Sequence, residues 1–447
     1  MKNDGKEWKG KNNALNQQIL IIPGTIFGYW VLSLNIALFS WEYPPKIVGG
    51  LGTYVYELTR QFVKMEQNIY VFTMNDGTLK TRELMNGVEV HRPKLIDISE
   101  ILPEVIADEV RRWGPGMNSF ANVMLYNLLS SSKIMNDLVP QEKKTIDILS
   151  VHDWLSSMSG ITLKKDMNLP MVFHIHSTEK GRSLGDGSKI VNELEKKAAT
   201  LANRVITVSN AMKDELISYG FPSDKIEVVW NGVDAKKYSP DRVSDAKIQQ
   251  VRAKYGISQE EKMILFLGRL TGVKGADRLI MAMQQVLAKY PRCKLVVIGR
   301  GEMEGELMRL AANLGVSKNV VFNFNMLPED ERIANYAAAD LAVFPSLYEP
   351  FGIVALEAMA MEKPIVVGAR GVSGFREIVV PVGPGQTGFH INPYDPQDIA
   401  WGITSIISDE SRMQLLGANA RNRVLSEFTW EKISKKVFDI YQDVCNG

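Results

Sequence analysis

Two glutamates flank a turn between a predicted strand and a predicted helix. Glu349 lies in the turn, and Glu357 lies in the apolar run that follows, with seven residues between them. Such a turn presents a carboxylate and the free N–H groups of a helix start, here at Gly352 and Ile353, at the carboxyl end of a strand, where open α/β sheets bind ligands. The pattern favours a ligand site, and the alternative is an ordinary corner with two solvated glutamates.

A pair of basic residues, Arg269 and Lys274, lies in a loop bounded by Gly268 and Gly275. The loop follows another predicted strand. Arginine can bind a phosphate through two parallel hydrogen bonds, and lysine acts as a point charge. The loop therefore predicts a clamp for two phosphates, with a basic surface pair as the alternative.

Adjacent glycines, Gly49 and Gly50, lie between the first predicted strand and the first predicted helix, shortly after Lys46. Glycines allow backbone N–H groups to approach an anion closely, and a helix start adds partial positive charge. The loop does not match the G-x-G-x-x-G fingerprint of dinucleotide-binding proteins, because it lacks the third glycine at the required spacing. The loop predicts an anion contact, and a tight turn is the alternative.

Polar residues also end two neighbouring predicted strands. His152 and Asp153 follow one strand, and His174 and His176 lie on one face at the end of the next. Two histidines at this spacing could suit a metal. The sequence shows no third ligand beside them, so no metal site is predicted.

Composition describes a globular protein of more than one domain. The chain has 447 residues, 45% of them hydrophobic, and a formal net charge of +1. This length favours two domains, and the near-neutral charge indicates no specialised binding of nucleic acid. The two cysteines, Cys293 and Cys445, form no metal or redox motif, which fits a reducing cytoplasm.

The first 33 residues have doubtful status. Residues 12–41 carry no charge, and an apolar run at 19–34 follows four lysines. This pattern is typical of a signal peptide or anchor. A membrane span here would consume the first predicted strand, so we interpret residues 1–33 as an extension produced by an upstream start site, with a membrane anchor as the alternative.

From residue 34 the pattern alternates between strand and helix. Alternation of this kind predicts parallel sheets with helices on both faces. A hydrophilic stretch at 234–262 divides two such series, which places the domains at 34–240 and 241–428, with a last helix at 429–447. The predicted strands are 36–39, 69–73, 88–92, 146–151, 171–175, 204–208 and 226–230, then 263–267, 294–298, 320–322, 341–344 and 364–367.

The spacing of Glu349 and Glu357, with Pro-Phe-Gly after the first, resembles the signature of retaining glycosyltransferases of the GT-B fold. This large group includes bacterial and archaeal glycogen synthases and related family 4 enzymes. The segment from Gly268 to Gly275 fits the family's G-R-L-x-x-x-K-G motif residue by residue. At least five motifs occur in the family's order over residues 35–444. The resemblance implies two Rossmann-like domains facing a cleft, with a C-terminal helix that crosses back to the N-terminal domain.

The resemblance also assigns roles to residues. It places Glu349 at the sugar hydroxyls and reacting face, Glu357 at the nucleotide ribose, and His176 beside the donor sugar. It implies retention of α-configuration without a metal, and no Asp-x-Asp metal motif occurs in the sequence. The catalytic residues implied are Glu349, His176 and Asp153. The donor-binding residues implied are Lys46, Gly49, Gly50, Asn231, Arg269, Lys274, Gly352, Ile353 and Glu357.

These features predict a cytoplasmic enzyme that transfers glucose from ADP- or UDP-glucose to the non-reducing end of an α-1,4-glucan. Its predicted partners are the nucleoside diphosphate sugar and a glycan acceptor. We predict no binding of nucleic acid, no association with a membrane, and no cofactor or metal. Whether the protein forms an oligomer is left open. The alternatives are transfer to a lipid, a cell-wall precursor or a small molecule, and a nucleotide-sugar- or glycan-binding protein without catalysis.

Overall fold

The computed structural model describes residues 33–98 and 116–447 of the chain. The extension predicted at residues 1–33 lies, apart from Ser33, outside the described residues. Residues from Leu34 to Gly447 belong to one compact unit. No helix within the described ranges is long and apolar enough to cross a membrane.

Two mostly parallel sheets organise the described chain. The strands of the first are β1 (Asn35–Phe39), β2 (Asn68–Phe72), β3 (Arg82–Met85), β4 (Val88–His91), β5 (Ile148–His152), β6 (Met171–Ile175), β7 (Arg204–Thr207) and β8 (Ile226–Val228). Their order is β3-β4-β2-β1-β5-β6-β7-β8, and every neighbouring pair is parallel except β3 with β4. The central strands β1, β5 and β6 are buried almost throughout, as runs of apolar residues covered on both faces should be.

The second sheet is parallel throughout its described strands. These are β9 (Lys262–Leu267), β10 (Cys293–Ile298), β11 (Val320–Asn323), β12 (Leu341–Phe344), β13 (Ile365–Gly368) and β14 (Gly388–Ile391). Their order is β11-β10-β9-β12-β13-β14. The two predicted series of parallel strands are confirmed. The sequence does not predict β3 and β14, because each is short and lacks a clear apolar alternation.

Helices connect the strands and cover both faces of each sheet. The α-helices are α1 (Gly50–Lys64), α2 (Gly116–Ser132), α3 (Trp154–Met167), α4 (Glu179–Arg182), α5 (Lys189–Leu201), α6 (Asn210–Ser218), α7 (Asp245–Lys254), α8 (Ala276–Lys289), α9 (Glu304–Asn313), α10 (Glu329–Ala338), α11 (Ile353–Ala360), α12 (Phe375–Ile378), α13 (Pro396–Ile407), α14 (Glu410–Glu427) and α15 (Trp430–Asn446). A π-helix spans Lys133–Leu138, and 3-10 turns span Ser223–Lys225, Pro240–Arg242 and Gly272–Lys274.

The last helix returns to the first sheet, as predicted. Helix α15 buries residues spaced three or four apart, among them Ile433, Val437 and Phe438. They share an apolar cluster with Tyr54 and Phe62 of α1 and with residues of β1. An amphipathic helix gains most of its stability from such packing rather than from its own propensity.

Apolar contacts also continue from one sheet to the other. Phe428, just before α15, lies 5.1 Å from Trp230 after β8 and 6.3 Å from Phe351 before α11, measured between ring centroids. The segments that follow β8 and β12 therefore both pack against Phe428.

We expect Phe438→Ala to lower the free energy of unfolding by about 3 kcal/mol, because a buried aromatic side chain is removed from a packed cluster. Urea denaturation followed by tryptophan fluorescence measures the change. The exposed Asp443→Ala on the same helix is the matched control and should change stability by less than about 0.5 kcal/mol. Equal effects of the two substitutions would show that α15 is not anchored by this face.

Candidate active site

A largely buried ion pair joins the loop after β9 to the turn between β12 and α11. Lys274 Nζ lies 2.6 Å from Glu349 Oε2, and the two side chains are 18% and 9% exposed. Ser346 Oγ donates to the same carboxylate oxygen at 3.2 Å. A carboxylate so far from water needs a compensating charge, and Lys274 supplies it. The structure thus brings together two residues that the sequence assigns to separate motifs.

Backbone contacts hold this turn against its neighbours. Gly275 has a φ of +69°, and a Cβ there would lie 2.2 Å from the carbonyl oxygen of Pro345. Leu347 N donates to Val273 O at 2.8 Å. Glycine at position 275 therefore allows the basic loop to pack on the turn, which places Lys274 next to Glu349.

The start of α11 is an uncapped helix end. Gly352 precedes it with a φ of +105°, and a Cβ there would lie 2.1 Å from the Phe375 ring, so only glycine fits. Gly352 offers no side-chain cap, and within the described chain the N–H groups of Ile353 and Val354 have no hydrogen-bond partner. Free N–H groups at a helix start form a site for an anion.

Arg269 lies exposed in the loop after β9 and has no hydrogen bond or ion pair with any described residue. Lys274, in contrast, is already paired with Glu349. The predicted phosphate clamp is therefore composed of one uncommitted cation and one that also stabilises a carboxylate.

Glu357 is buried between two tyrosines. Tyr238 donates to Oε1 at 3.0 Å and Tyr336 donates to Oε2 at 2.9 Å, while Arg332 lies 3.7 Å from Oε1. Burial and the nearby charge of Glu357 raise the pKa of both tyrosines, which keeps them protonated as donors. Each carboxylate oxygen retains a lone pair for a further donor. The sequence predicts Glu357 as a site residue but not its two tyrosine partners.

On the first sheet, Asp153 adopts a strained backbone. Its φ of +55° and ψ of +173° belong to a region that residues other than glycine rarely occupy. Its carboxylate Oδ1 accepts a hydrogen bond from His176 N at 2.8 Å, and its own N–H donates to His174 O at 2.9 Å. These bonds fix Asp153 at the end of β5 beside the loop that starts at His176.

Three histidines lie side by side here, although the sequence shows no third ligand near His174 and His176. The third is His152, on the neighbouring strand, and the ligand nitrogens of the three lie within 4.8 Å of one another. Strand pairing explains what the sequence could not show, because His152 and His174 are register partners of β5 and β6. Burial lowers the pKa of all three rings, so each is neutral.

The ring geometry fits hydrogen bonding rather than a shared ion. His152 Nδ1 and His176 Nε2 face each other at 3.1 Å, with ring planes inclined by 15°. The ring of His174 is stacked on that of His152 at 4.2 Å between centroids. An imidazole lone pair lies in the ring plane, so the stacked rings of His174 and His152 do not direct their nitrogens at one point.

The glycine loop binds a carboxylate of the chain itself. Gly49 N and Val48 N both donate to Glu42 Oε2 at 3.0 Å. Lys46 is half-exposed and forms an ion pair with Asp76. One of the N–H groups predicted to meet an anion, that of Gly49, is therefore occupied by Glu42.

Gly50, the next residue, lies close to the part of the site that is built on the second sheet. A Cβ at Gly50 would lie 3.6 Å from Ile353 Cδ1 at the start of α11.

Asn231 is buried, and its Oδ1 has no hydrogen-bond partner in the described chain. A buried acceptor without a partner calls for a donor from elsewhere, which a ligand hydroxyl would supply.

Tyr348 directly joins the first half of the molecule, built on strands β1 to β8, to the second half, built on strands β9 to β14. This residue precedes Glu349, and its hydroxyl donates to Glu215 of α6 at 3.0 Å. The same oxygen accepts from Thr178 N at 3.5 Å. A Cβ at Gly181 would lie 2.1 Å from this hydroxyl, so glycine is required where Tyr348 inserts. The loop holding Glu349 therefore touches the loop that begins at His176.

Glu377 forms a second link between the halves. Its Oε1 accepts from Asn210 N at 2.7 Å and Ala211 N at 3.2 Å, at the start of α6. Its Oε2 accepts from Asn210 Nδ2 at 2.9 Å and Trp230 Nε1 at 2.8 Å. A carboxylate at a helix N-terminus is favoured by the helix dipole. Nothing in the local sequence indicates this role, because the donors lie about 150 residues earlier.

Comparisons with known proteins agree with this geometry. The family model for glycosyl transferases group 1 matches residues 247–423, and that for glycosyltransferase family 4 matches residues 48–237. An uncharacterised glycosyltransferase of Methanocaldococcus jannaschii is 34% identical over 413 residues, which cover 92% of this chain and 98% of the relative. The chain belongs to the glycosyltransferases.

Other relatives of this glycosyltransferase carry more specific names. The glycogen synthase of Mycobacterium tuberculosis is 28% identical, over 91% of this chain and 94% of the relative. The alpha-maltose-1-phosphate synthase of Mycolicibacterium smegmatis is 27% identical, over 92% of this chain and 100% of the relative. The solved structure of sucrose-phosphate synthase from Thermosynechococcus elongatus matches with a TM-score of 0.73 and 23% identity, over 92% and 99% of the two chains. The predicted GT-B fold and the predicted enzyme class are confirmed.

We expect Glu377→Ala to loosen the contact between the two halves of the glycosyltransferase, because one carboxylate accepts four hydrogen bonds across it. Small-angle X-ray scattering should show a larger radius of gyration than for the unaltered protein. Glu410→Ala is the control, since Glu410 pairs with Lys262 within the second half. An unchanged radius of gyration for Glu377→Ala would contradict the role of this carboxylate.

Proposed function

We propose that this glycosyltransferase transfers glucose from ADP- or UDP-glucose to the non-reducing end of an α-1,4-glucan, with retention of configuration, in the cytoplasm. The observation that carries the proposal is the Lys274–Glu349 pair at the uncapped start of α11, with Arg269 free in the same loop region. The relative named glycogen synthase supports the choice of an α-glucan as acceptor.

The charge requirements of the reaction match these groups. Transfer from a nucleoside diphosphate sugar releases a diphosphate, so negative charge grows on the leaving group. Fixed positive charge at that point lowers the barrier. Arg269, Lys274 and the free N–H groups of Ile353 and Val354 would supply it. Lys274 would then bind the diphosphate and Glu349 together.

Glu349 and Glu357 take different parts of the donor in this proposal. Glu349 would accept hydrogen bonds from sugar hydroxyls and stabilise the positive charge that develops at the anomeric carbon. Glu357, held by Tyr238 and Tyr336, would accept from the ribose hydroxyls through its remaining lone pairs. Two tyrosine donors fix its orientation, which favours binding over proton transfer.

The first half would contribute the acceptor side and the rest of the sugar contacts. His176 and Asp153 lie together at the ends of β6 and β5, and Asn231 offers an unpaired oxygen. Gly50 approaches the start of α11, and Glu42 occupies the N–H group of Gly49. Lys46 would have to leave Asp76 to reach a phosphate. Contact between the halves would exclude water, which competes as the acceptor.

A second acceptor class has its own support. The relative named alpha-maltose-1-phosphate synthase is nearly as similar as the glycogen synthase, which favours a sugar phosphate as the alternative.

ADP-, UDP- and GDP-glucose should be tested against glycogen, a sugar phosphate and a lipid extract, each with and without EDTA. Transfer to glycogen unaffected by EDTA supports the proposal. Transfer only to the sugar phosphate or lipid, or loss with EDTA that Mg²⁺ restores, contradicts it.

We expect Glu349→Gln to reduce transfer by at least about 100-fold while nucleoside diphosphate affinity stays within about threefold, because the carboxylate acts on the sugar rather than on the nucleotide. Initial rates and isothermal titration calorimetry measure the two quantities. The exposed Glu302→Gln in the same half is the control. Near-normal turnover by Glu349→Gln would refute the assignment.

Arg269→Ala should weaken nucleoside diphosphate binding by about 10- to 100-fold, as loss of a charge-assisted hydrogen bond implies. Stability should not change, since Arg269 has no partner in the described chain. Arg292→Ala removes an exposed arginine whose ion pair among the described residues is with Glu260, and it should leave the affinity unaltered. Equal affinities for the two variants in calorimetry would rule out Arg269 as a phosphate ligand.

A further inference from the structure

A buried hydrogen-bond chain leads from the last helix to His176. The Tyr441 hydroxyl of α15 lies 2.5 Å from Ser150 Oγ, which lies 2.9 Å from His152 Nε2. His152 Nδ1 in turn lies 3.1 Å from His176 Nε2. The chain therefore crosses from α15 through β5 to the end of β6.

The chain continues from Tyr441 in the other direction. His174 Nε2 lies 2.7 Å from the Tyr441 hydroxyl, and His174 Nδ1 lies 3.5 Å from the Tyr54 hydroxyl of α1. Tyr54, Ser150, His152, His174 and Tyr441 are each 0–1% exposed. Bulk water therefore does not reach these groups to replace a missing partner.

Every side chain in this hydrogen-bond chain can donate one hydrogen bond. Burial lowers the pKa of the three histidines and raises the pKa of both tyrosines, so all are neutral. A neutral imidazole has one N–H donor and one acceptor nitrogen, and a hydroxyl has one donor hydrogen. A hydroxyl that accepted from both neighbours would leave its own hydrogen buried without an acceptor. Each member therefore donates to one neighbour and accepts from the other, and all the bonds run in the same direction.

Tyr54 sets that direction. Its hydroxyl is buried, and His174 Nδ1 is its only hydrogen-bond partner in the described chain. A buried tyrosine hydroxyl donates to a partner when one is available. His174 then donates from Nε2 to Tyr441, Tyr441 donates to Ser150, and Ser150 donates to His152 Nε2.

The last step decides the state of His176. His152, having accepted at Nε2, carries its proton on Nδ1 and donates it to His176 Nε2. His176 must then carry its own proton on Nδ1, a nitrogen without a partner in the described chain. We propose that Tyr54, Tyr441 and Ser150 are positioning residues that hold His176 as the Nδ1–H tautomer, ready to donate a hydrogen bond to a substrate hydroxyl.

The catalytic consequence rests on the proposed function, in which His176 lies beside the donor sugar. A fixed Nδ1–H would donate to a sugar oxygen, and the opposite tautomer would present a lone pair there. Loss of the fixed tautomer should lower kcat roughly tenfold, the effect of one hydrogen bond made in the transition state, and leave the donor KM within about twofold.

Histidine side-chain nitrogen NMR tests the chain without substrate. The sequence contains five histidines, so spectra of protein labelled with ¹⁵N-histidine are simple, and single His→Gln variants assign them. The unaltered protein should show His176 protonated on Nδ1 and His152 protonated on Nδ1. Tyr441→Phe and Ser150→Ala should each convert His176 to a mixture of tautomers while His91 and His390 stay unchanged.

Tyr43→Phe is the matched control, because Tyr43 is also buried and its hydroxyl forms a hydrogen bond with Thr59, which is not part of the hydrogen-bond chain to His176. Ser150→Ala makes the smaller change and decides the matter if Tyr441→Phe fails to fold. His176 protonated on Nε2 in the unaltered protein, a metal bound to the histidines, or an unchanged His176 tautomer in Ser150→Ala would overturn the proposal. Altered tautomers with an unchanged kcat would support the chain and count against the placement of His176 at the sugar.

Discussion

A carboxylate removed from water must be compensated, and in this glycosyltransferase Lys274 compensates Glu349 at 2.6 Å. The pair explains why the basic loop after β9 packs on the turn before α11, and why Gly275, which allows this packing, occupies a backbone conformation that other residues disfavour. Neither charge could be buried alone. The same requirement places a cation beside an uncapped helix start. The proposed diphosphate site would thus arise from the packing of the turn.

The first half of the molecule, which contains strands β1 to β8, makes this site complete. Tyr348, next to Glu349, inserts above Gly181, and Glu377 accepts four hydrogen bonds from α6 and Trp230. Helix α15 crosses back and packs on α1, and its Tyr441 reaches the histidines of β5 and β6. A substrate held between the halves would thus meet groups that are oriented before it binds, which reduces the reorganisation needed during reaction.

Much of this arrangement could be predicted from the sequence, and the failures share a physical cause. Apolar runs and turn residues predicted the parallel strands, and the motif spacings predicted the turn of Glu349 and the loop of Lys274. The third histidine was missed because strand register, not sequence, sets His152 beside His174. Tyr441 and Ser150 are 291 residues apart, and Glu377 is 147 residues from Trp230. Side-chain contacts at such separations leave no local pattern in a single sequence.

The position of the leaving group is the central claim, and a crystal structure with a bound nucleoside diphosphate tests it most directly. The diphosphate should lie within hydrogen-bond distance of Arg269, of Lys274 Nζ and of the N–H groups of Ile353 and Val354, with the ribose hydroxyls at Glu357. A diphosphate bound elsewhere, with Arg269 still free and the start of α11 unoccupied, would contradict the proposed mechanism.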